Sequence, residues 1–325
     1  VLTQVENDTQ EGRAALDFLF PHTGKAHLIG ITGAPGTGKS SLANQLARFY
    51  RKPSQGISSR KVGIVAVDPS SPFTGGALLG DRVRMRDLAG DPGVFIRSMA
   101  SRGSLGGLAA ATAGVVQTLD AAGFEVILIE TVGAGQAEVD IARLAHTTLV
   151  IEAPGLGDEI QAIKAGIMEI ADILVINKAD RPGVESTERA LRSMLQLGQP
   201  SSRIYQRPGW QHHRNEDPHD GVVSDNDQSW VTPIIRTVAT EGSGIDDLYE
   251  EITRHRCFLE GSGELTRRER ARLQAELDNL LQAMLVSRWR SEITEQHYRQ
   301  VLDKLVTRSV SPWQAVELTL DGDIK

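Results

Sequence analysis

Cysteine is almost missing from this 325-residue chain: Cys257 stands alone. That excludes a disulfide framework and a thiolate metal cluster, and it fits a reducing compartment. A lone cysteine of this kind is expected as a half-buried, small apolar residue. Long apolar runs are also missing. None approaches the ~20 residues needed to span a bilayer, and no basic-then-apolar signal pattern opens the chain. Positive charge is not in excess either: the net charge is −7 and the isoelectric point about 5.7. A nucleic-acid partner, whose phosphates call for a basic face, is therefore not expected. These absences predict a soluble, cytoplasmic protein without membrane or nucleic-acid partners. Since the chain starts at Val1 and not at Met, a removed targeting segment leaves the mitochondrial matrix as the alternative.

What is present is enough apolar material, 40% of residues with 24% charged, for one large domain with appendages. Short β-branched runs at 26–32, 61–68, 94–98, 124–130, 147–152, 172–177 and 232–238 alternate with helical patterns. That alternation predicts an α/β fold, a mostly parallel sheet covered by helices on both faces. Several runs end in a polar residue, among them Asp68, Glu130 and Asn177, where ligands sit in open α/β sheets. Residues 1–24 read as an N-terminal helical extension, 25–255 as the main domain and 256–325 as a C-terminal helical arm. Within the arm, 264–286 carries Leu273, Leu277, Leu280, Leu281, Met284 and Leu285 at helical spacing, a long helix with one apolar face. A second helix is expected at 295–306. The Pro-, Gly-, Asp- and His-rich stretch 198–229 lacks periodicity and reads as a surface insertion. Its His212, His213 and His219 beside Glu216, Asp217 and Asp220 read as a solvated loop, because ordering such a segment round a metal costs entropy.

The chemistry is carried by Gly33, Ala34, Pro35, Gly36, Thr37, Gly38, Lys39 and Ser40, followed by Ser41, between an apolar run and a helical pattern. This is a P-loop in its structural context. Its glycines let backbone N–H groups surround phosphate oxygens, Lys39 brings a positive charge to the β/γ bridge, and the Ser40 hydroxyl can ligate Mg²⁺. At a later strand end, Asn177, Lys178, Ala179 and Asp180 select the base. The Asp180 carboxylate can accept from guanine N1–H and N2–H₂ together, a pair of donors that adenine does not offer there. Val238, Ala239 and Thr240 follow a strand where a guanine O6 needs a backbone N–H. Hydrolysis needs a metal, an oriented water and a γ-phosphate sensor. Glu130, Asp68 and Asp81 are the carboxylates expected round metal and water, and the Gly133 N–H is expected near the γ-phosphate. No Gln directly follows Gly133, Gln136 being displaced by Ala134 and Gly135, so hydrolysis without a partner is expected to be slow.

Over residues 28–247 the chain resembles the GTPases that chaperone adenosylcobalamin-dependent acyl-CoA mutases, MeaB in bacteria and MMAA in mitochondria. The resemblance rests on GAPGTGKSS from Gly33, VAVDPSSPFTGGALLGDRVRM from Val65, MASRGSLGGLA from Met99, ETVGAGQ from Glu130, PGLGDEIQAIKAGIMEIAD from Pro154 and NKAD from Asn177. It implies GTP and GDP as ligands with Mg²⁺, a homodimer joined by C-terminal helices, and a mutase partner whose cofactor delivery is gated by hydrolysis. It also makes the segment from Asp158 to Lys164 a switch that reports nucleotide state, while the Arg82, Arg84 and Arg86 run could face an acidic partner surface or the phosphates. The insertion at 198–229 departs from the family. A GTP-dependent metallochaperone is one alternative, disfavoured by the lone cysteine and the diffuse histidines. A small-molecule kinase is another, disfavoured by the guanine-reading NKAD.

Overall fold

The computed structural model describes residues 1–52, 58–68, 88, 90–100, 107–131, 142–155, 170–197 and 229–320. They fall into two compact units, Val1–Arg272 and Leu273–Lys325.

The first unit is built on β1 (His27–Gly33), β2 (Val62–Asp68), β3 (Val94–Ala100), β4 (Val126–Thr131), β5 (Thr147–Glu152), β6 (Ile173–Asn177) and β7 (Ile234–Thr237). All pairings are parallel, in the order β3-β2-β4-β1-β5-β6-β7. Every strand expected from the sequence is present. The apolar runs are continuous because helices cover both faces, so β1, β4, β5 and β6 are buried along their whole length.

Side-chain alternation divides the strands between the two layers. Ile29, Ile31 and Leu128 pack with Leu42 and Leu46 of α3 (Lys39–Arg51) and with Leu248 and Ile252 of α6 (Ile245–Gly261). Leu28, Ile127 and Ile129 pack the other way, against Val5 of α1 (Leu2–Glu6) and Val115, Val116 and Leu119 of α4 (Gly107–Ala121). Burial of each such side chain contributes on the order of 1.5–3 kcal/mol. Beside α1, α2 (Gln10–Leu19) starts at Thr9, whose hydroxyl accepts the Gly12 N–H at 3.1 Å. Leu191 of α5 (Val184–Leu197) closes a third cluster on Val150, Leu174 and Ile176.

Parallel strands bring their C-terminal ends to one edge, so Gly33, Asp68, Thr131, Glu152 and Asn177 all end strands there. Cys257, expected to be half-buried, is exposed. On α6 it lies between His255 and Leu259, which turn inward, so the helical period points it to solvent.

α7 (Glu264–Glu292) begins in the first unit and ends in the second, which also holds α8 (Glu295–Val306) and α9 (Pro312–Leu320). The Thr294 hydroxyl accepts the His297 N–H at 3.3 Å to cap α8, and His297 Nε2 lies 3.0 Å from Leu318 O on α9. Leu277, Leu280, Leu281, Met284 and Leu285 of α7 are exposed. Among the described residues, no helix is long and apolar enough to cross a membrane. The histidines of the 198–229 insertion lie outside the described residues, and among the described ones no cluster of His, Cys, Asp and Glu is arranged to hold a metal.

Candidate functional site

β1 leads directly into the glycine-rich loop, and the loop into α3, whose N-cap Gly38 adopts a left-handed conformation. Two glycines are required by close approach as well as by φ. At Gly33, with φ +137°, a Cβ would stand 2.1 Å from the Ile151 carbonyl oxygen of β5; at Gly38, with φ +95°, it would stand 2.3 Å from Asn177 Nδ2. The loop is thus pressed against the ends of β5 and β6. The Thr37 hydroxyl donates to Ala34 O at 2.9 Å, closing the turn. The Lys39 ammonium donates to Gly33 O at 2.7 Å and Ala34 O at 2.9 Å, which lays a buried cation across the loop. A loop that offers N–H groups, a lysine and a helix N-terminus together is suited to polyphosphate.

In the first turn of α3, the Ser40 hydroxyl donates to Glu130 Oε1 of β4 at 2.5 Å, with both residues buried. A hydroxyl and a carboxylate at the loop's mouth are hard oxygen donors of the kind Mg²⁺ takes, so the donor set fits that ion. Behind them Thr131 Oγ1 donates to Thr32 Oγ1 at 3.2 Å, joining the ends of β4 and β1. Sequence reasoning passed over this pair; its signal is a hydroxyl residue at each of two adjacent strand ends.

Asn177 is the junction of the site. Its Nδ2 donates to Thr37 O at 2.8 Å, while its Oδ1 accepts from Thr237 Oγ1 at 3.2 Å and Ala239 N at 3.0 Å. The end of β6 therefore fastens the phosphate loop on one side and the Val238, Ala239 and Thr240 segment on the other. Lys178, at φ +58°, reaches over the loop to donate to Gly36 O at 2.5 Å. Asp180 is exposed at the following turn, with Ser41, Pro35 and Gly36 also exposed on the loop side.

The structure thus brings together Gly33 to Ser40, Glu130, Asn177, Lys178 and the segment after β7. Asp68 ends β2 on the same edge. Asp81, Gly133, the 82–86 arginine run and the 158–164 segment lie outside the described residues.

A family model described as "Methylmalonyl Co-A mutase-associated GTPase MeaB" matches residues 1–294. A putative GTPase of Pyrococcus abyssi is 42% identical over 320 residues, covering 98% of this chain and 90% of its own. GTPase ArgK of Escherichia coli is 32% identical over 302 residues, covering 91% of this chain and 82% of its own. Among solved structures, a crystal structure of an LAO/AO transport system kinase matches with a TM-score of 0.62 at 23% identity, over 98% of this chain and 91% of that one, which concerns the fold alone.

Proposed function

The chain belongs to the family of methylmalonyl-CoA mutase-associated GTPases, and from that premise we propose that it hydrolyses GTP to gate cofactor loading of an adenosylcobalamin-dependent acyl-CoA mutase and to protect that mutase from inactivation. The observation that carries this reading is the family match across residues 1–294, which takes in the N-terminal helices and the whole of α7 as well as the nucleotide-binding core. The relatives' names support GTP as the nucleotide.

In this reading the backbone N–H groups of the loop from Gly33 to Ser40 hold the phosphates, and Lys39 leaves the carbonyls of Gly33 and Ala34 to meet the β/γ bridge. Ser40 is a ligand of Mg²⁺, with Glu130, Asp68 and Asp81 the carboxylates that hold the ion's waters or orient the attacking one. The ion supplies neutralising charge on the β- and γ-phosphates. The Gly133 N–H senses the γ-phosphate. Asn177 holds the base side against the phosphate side, and Asp180 accepts from guanine N1–H and N2–H₂. Switch segments ordered by the γ-phosphate relax on hydrolysis, which is how the nucleotide state reaches a partner. The exposed apolar residues of α7 support a homodimer formed through the C-terminal helices.

The test is phosphate release from GTP and ATP by the purified chain, alone and with a candidate adenosylcobalamin-dependent mutase titrated in. Slow, GTP-selective turnover that rises severalfold with the mutase is expected; turnover at tens per second without a partner, or indifference to every such mutase, overturns the chaperone reading. Asp180→Asn is expected to weaken GTP binding by about 1–3 kcal/mol with the thermal midpoint unchanged, as measured by nucleotide titration and melting.

A further inference from the structure

Three adjacent strands that end in the nucleotide site begin, at their other ends, in one buried polar cluster. β1 opens on His27, β5 on Thr147, and β6 follows directly on Asp172. The Thr147 hydroxyl lies between His27 Nε2 and His255 Nδ1 of α6, 2.9 Å from each. His255 Nε2 stands 3.3 Å from Asp172 Oδ1. The Asp172 carboxylate accepts the Thr148 N–H at 2.8 Å and both Arg268 Nη groups at 3.0 Å. Arg268 belongs to the first turns of α7, within the first unit, and also donates to His146 O at 2.6 Å. One residue on, Glu269 Oε1 meets His146 Nε2 at 2.5 Å, while His146 Nδ1 accepts the Leu28 N–H of β1 at 3.2 Å.

Such a cluster is a poor device for stability alone. Removing charges from water costs nearly as much as their attraction returns, and apolar residues of similar size hold a core as well. What hydrogen-bonded charges add is one defined arrangement: Asp172 fits only if Arg268, His255 and the start of β5 are all in register. The strands carry that register to the opposite edge. Asp172 directly precedes the five-residue β6 and Asn177 ends it, a span of roughly 17 Å at strand rise. Similarly, His27 and Gly33 are the two ends of β1, and Thr147 opens the strand whose Ile151 touches Gly33. Strands hydrogen-bonded on both sides do not stretch, so a shift at their starts is a shift at their ends.

We infer that Asp172, Arg268 and the histidines around them are positioning residues for the nucleotide site, so that seating of the first turns of α7 and occupancy of the phosphate loop are coupled through β1, β5 and β6. Coupling of this kind is reciprocal: whatever the helix root does to nucleotide affinity, the nucleotide does to the helix root. The proposal needs only the GTPase site and no mutase, so it stands or falls apart from the chaperone reading.

Two measurements test it on the full chain. Amide hydrogen exchange is followed at residues 264–272 with and without GDP and Mg²⁺, against α2, which packs on α1 and α4, as the measure of global stabilisation. The expected result is slowing at the helix root at least about fivefold beyond that in α2. In parallel, dissociation of a fluorescent GDP is timed in Arg268→Lys, Glu269→Gln and the control Glu11→Gln. Arg268→Lys keeps the charge and loses the paired geometry, while Glu269→Gln releases His146 and leaves Asp172 paired. Both are expected to change the dissociation rate severalfold at folding midpoints measured alongside, with Glu11→Gln unchanged. Slowing at the root no greater than in α2, or dissociation rates in the cluster variants within twofold of the parent, overturns the inference. Should Arg268→Lys fail to fold, Glu269→Gln and the exchange measurement decide.

Discussion

At its C-terminal edge the sheet runs into a loop of glycines held against Ile151 and Asn177, with a lysine lying across backbone carbonyls and a serine against a glutamate. At its N-terminal edge the same strands start from His27, Thr147 and Asp172, whose side chains reach His255 and Arg268. The first edge consists mostly of backbone groups and of a cation whose present partners can be exchanged for phosphate. The second is made of side chains paired with one another. The lesson is that one set of parallel strands can hold an edge prepared for a ligand because the opposite edge is locked without one.

The largest effect is expected from Arg268→Leu. It leaves the Asp172 carboxylate buried without its bidentate partner, and loss of one member of a buried pair costs about 3–5 kcal/mol, to be read from the urea midpoint. A loss below 1 kcal/mol would mean that the N-terminal edge is not locked as described. Lys39→Ala attacks the other edge. It is expected to lower GTP affinity by about 1.5–3 kcal/mol, the range of a charge-assisted hydrogen bond, with far less change in folding stability. If the midpoint fell as far as the affinity, the two edges would not differ in the way proposed.

Acid sharpens the same contrast. Burial, helped by His146, holds the His27 imidazole well below its ordinary 6.5. It is then neutral when folded and protonated when unfolded, so stability falls as pH drops below about 6.5. Burial raises the Asp172 carboxyl, but His255 and Arg268 outweigh it and hold the group well below the ordinary carboxylate range. At Glu269, too, desolvation is overcome, here by hydrogen bonds from His146 and Arg272, and the carboxyl falls from 4.5 to about 2. These carboxylates lend stability that is complete above about pH 4.5 and is lost as pH falls through their folded values. Urea midpoints from pH 8 to 3 are therefore expected to fall in two stages, and His27→Asn is expected to remove the first. The smallest effect belongs to Thr131→Val, which removes the hydroxyl contact with Thr32. About 1 kcal/mol of stability and an almost unchanged GTP affinity are expected in melting and titration.

Much of the nucleotide edge was legible in the sequence because its information is local. A phosphate loop is a run of adjacent backbone positions, and its glycines, Lys39 and Ser40 declare it within a few residues. The seven strands were legible for a related reason: a sheet covered on both faces demands continuous apolar runs. Asn177 was read as a base-recognition residue, but its hydrogen bonds to Thr37 and Ala239 depend on residues far along the chain. The opposite edge was wholly illegible. His27, His146 and His255 share no motif, and Asp172 reads as an ordinary strand start until Arg268 is seen beside it. Cys257 was misjudged because a helix face, and not residue type, decides exposure.

By itself, then, the sequence determined the α/β class, the parallel sheet, the phosphate loop and the family of GTPases to which the chain belongs. Those properties follow from contiguous residues, through local backbone geometry and periodic burial. Tertiary structure alone decided that Asn177 joins the phosphate side to the base side, and that three scattered histidines, Asp172 and Arg268 form one cluster behind them. Contacts between residues a hundred positions apart exist only once the strands have been laid side by side, and no local pattern encodes that order.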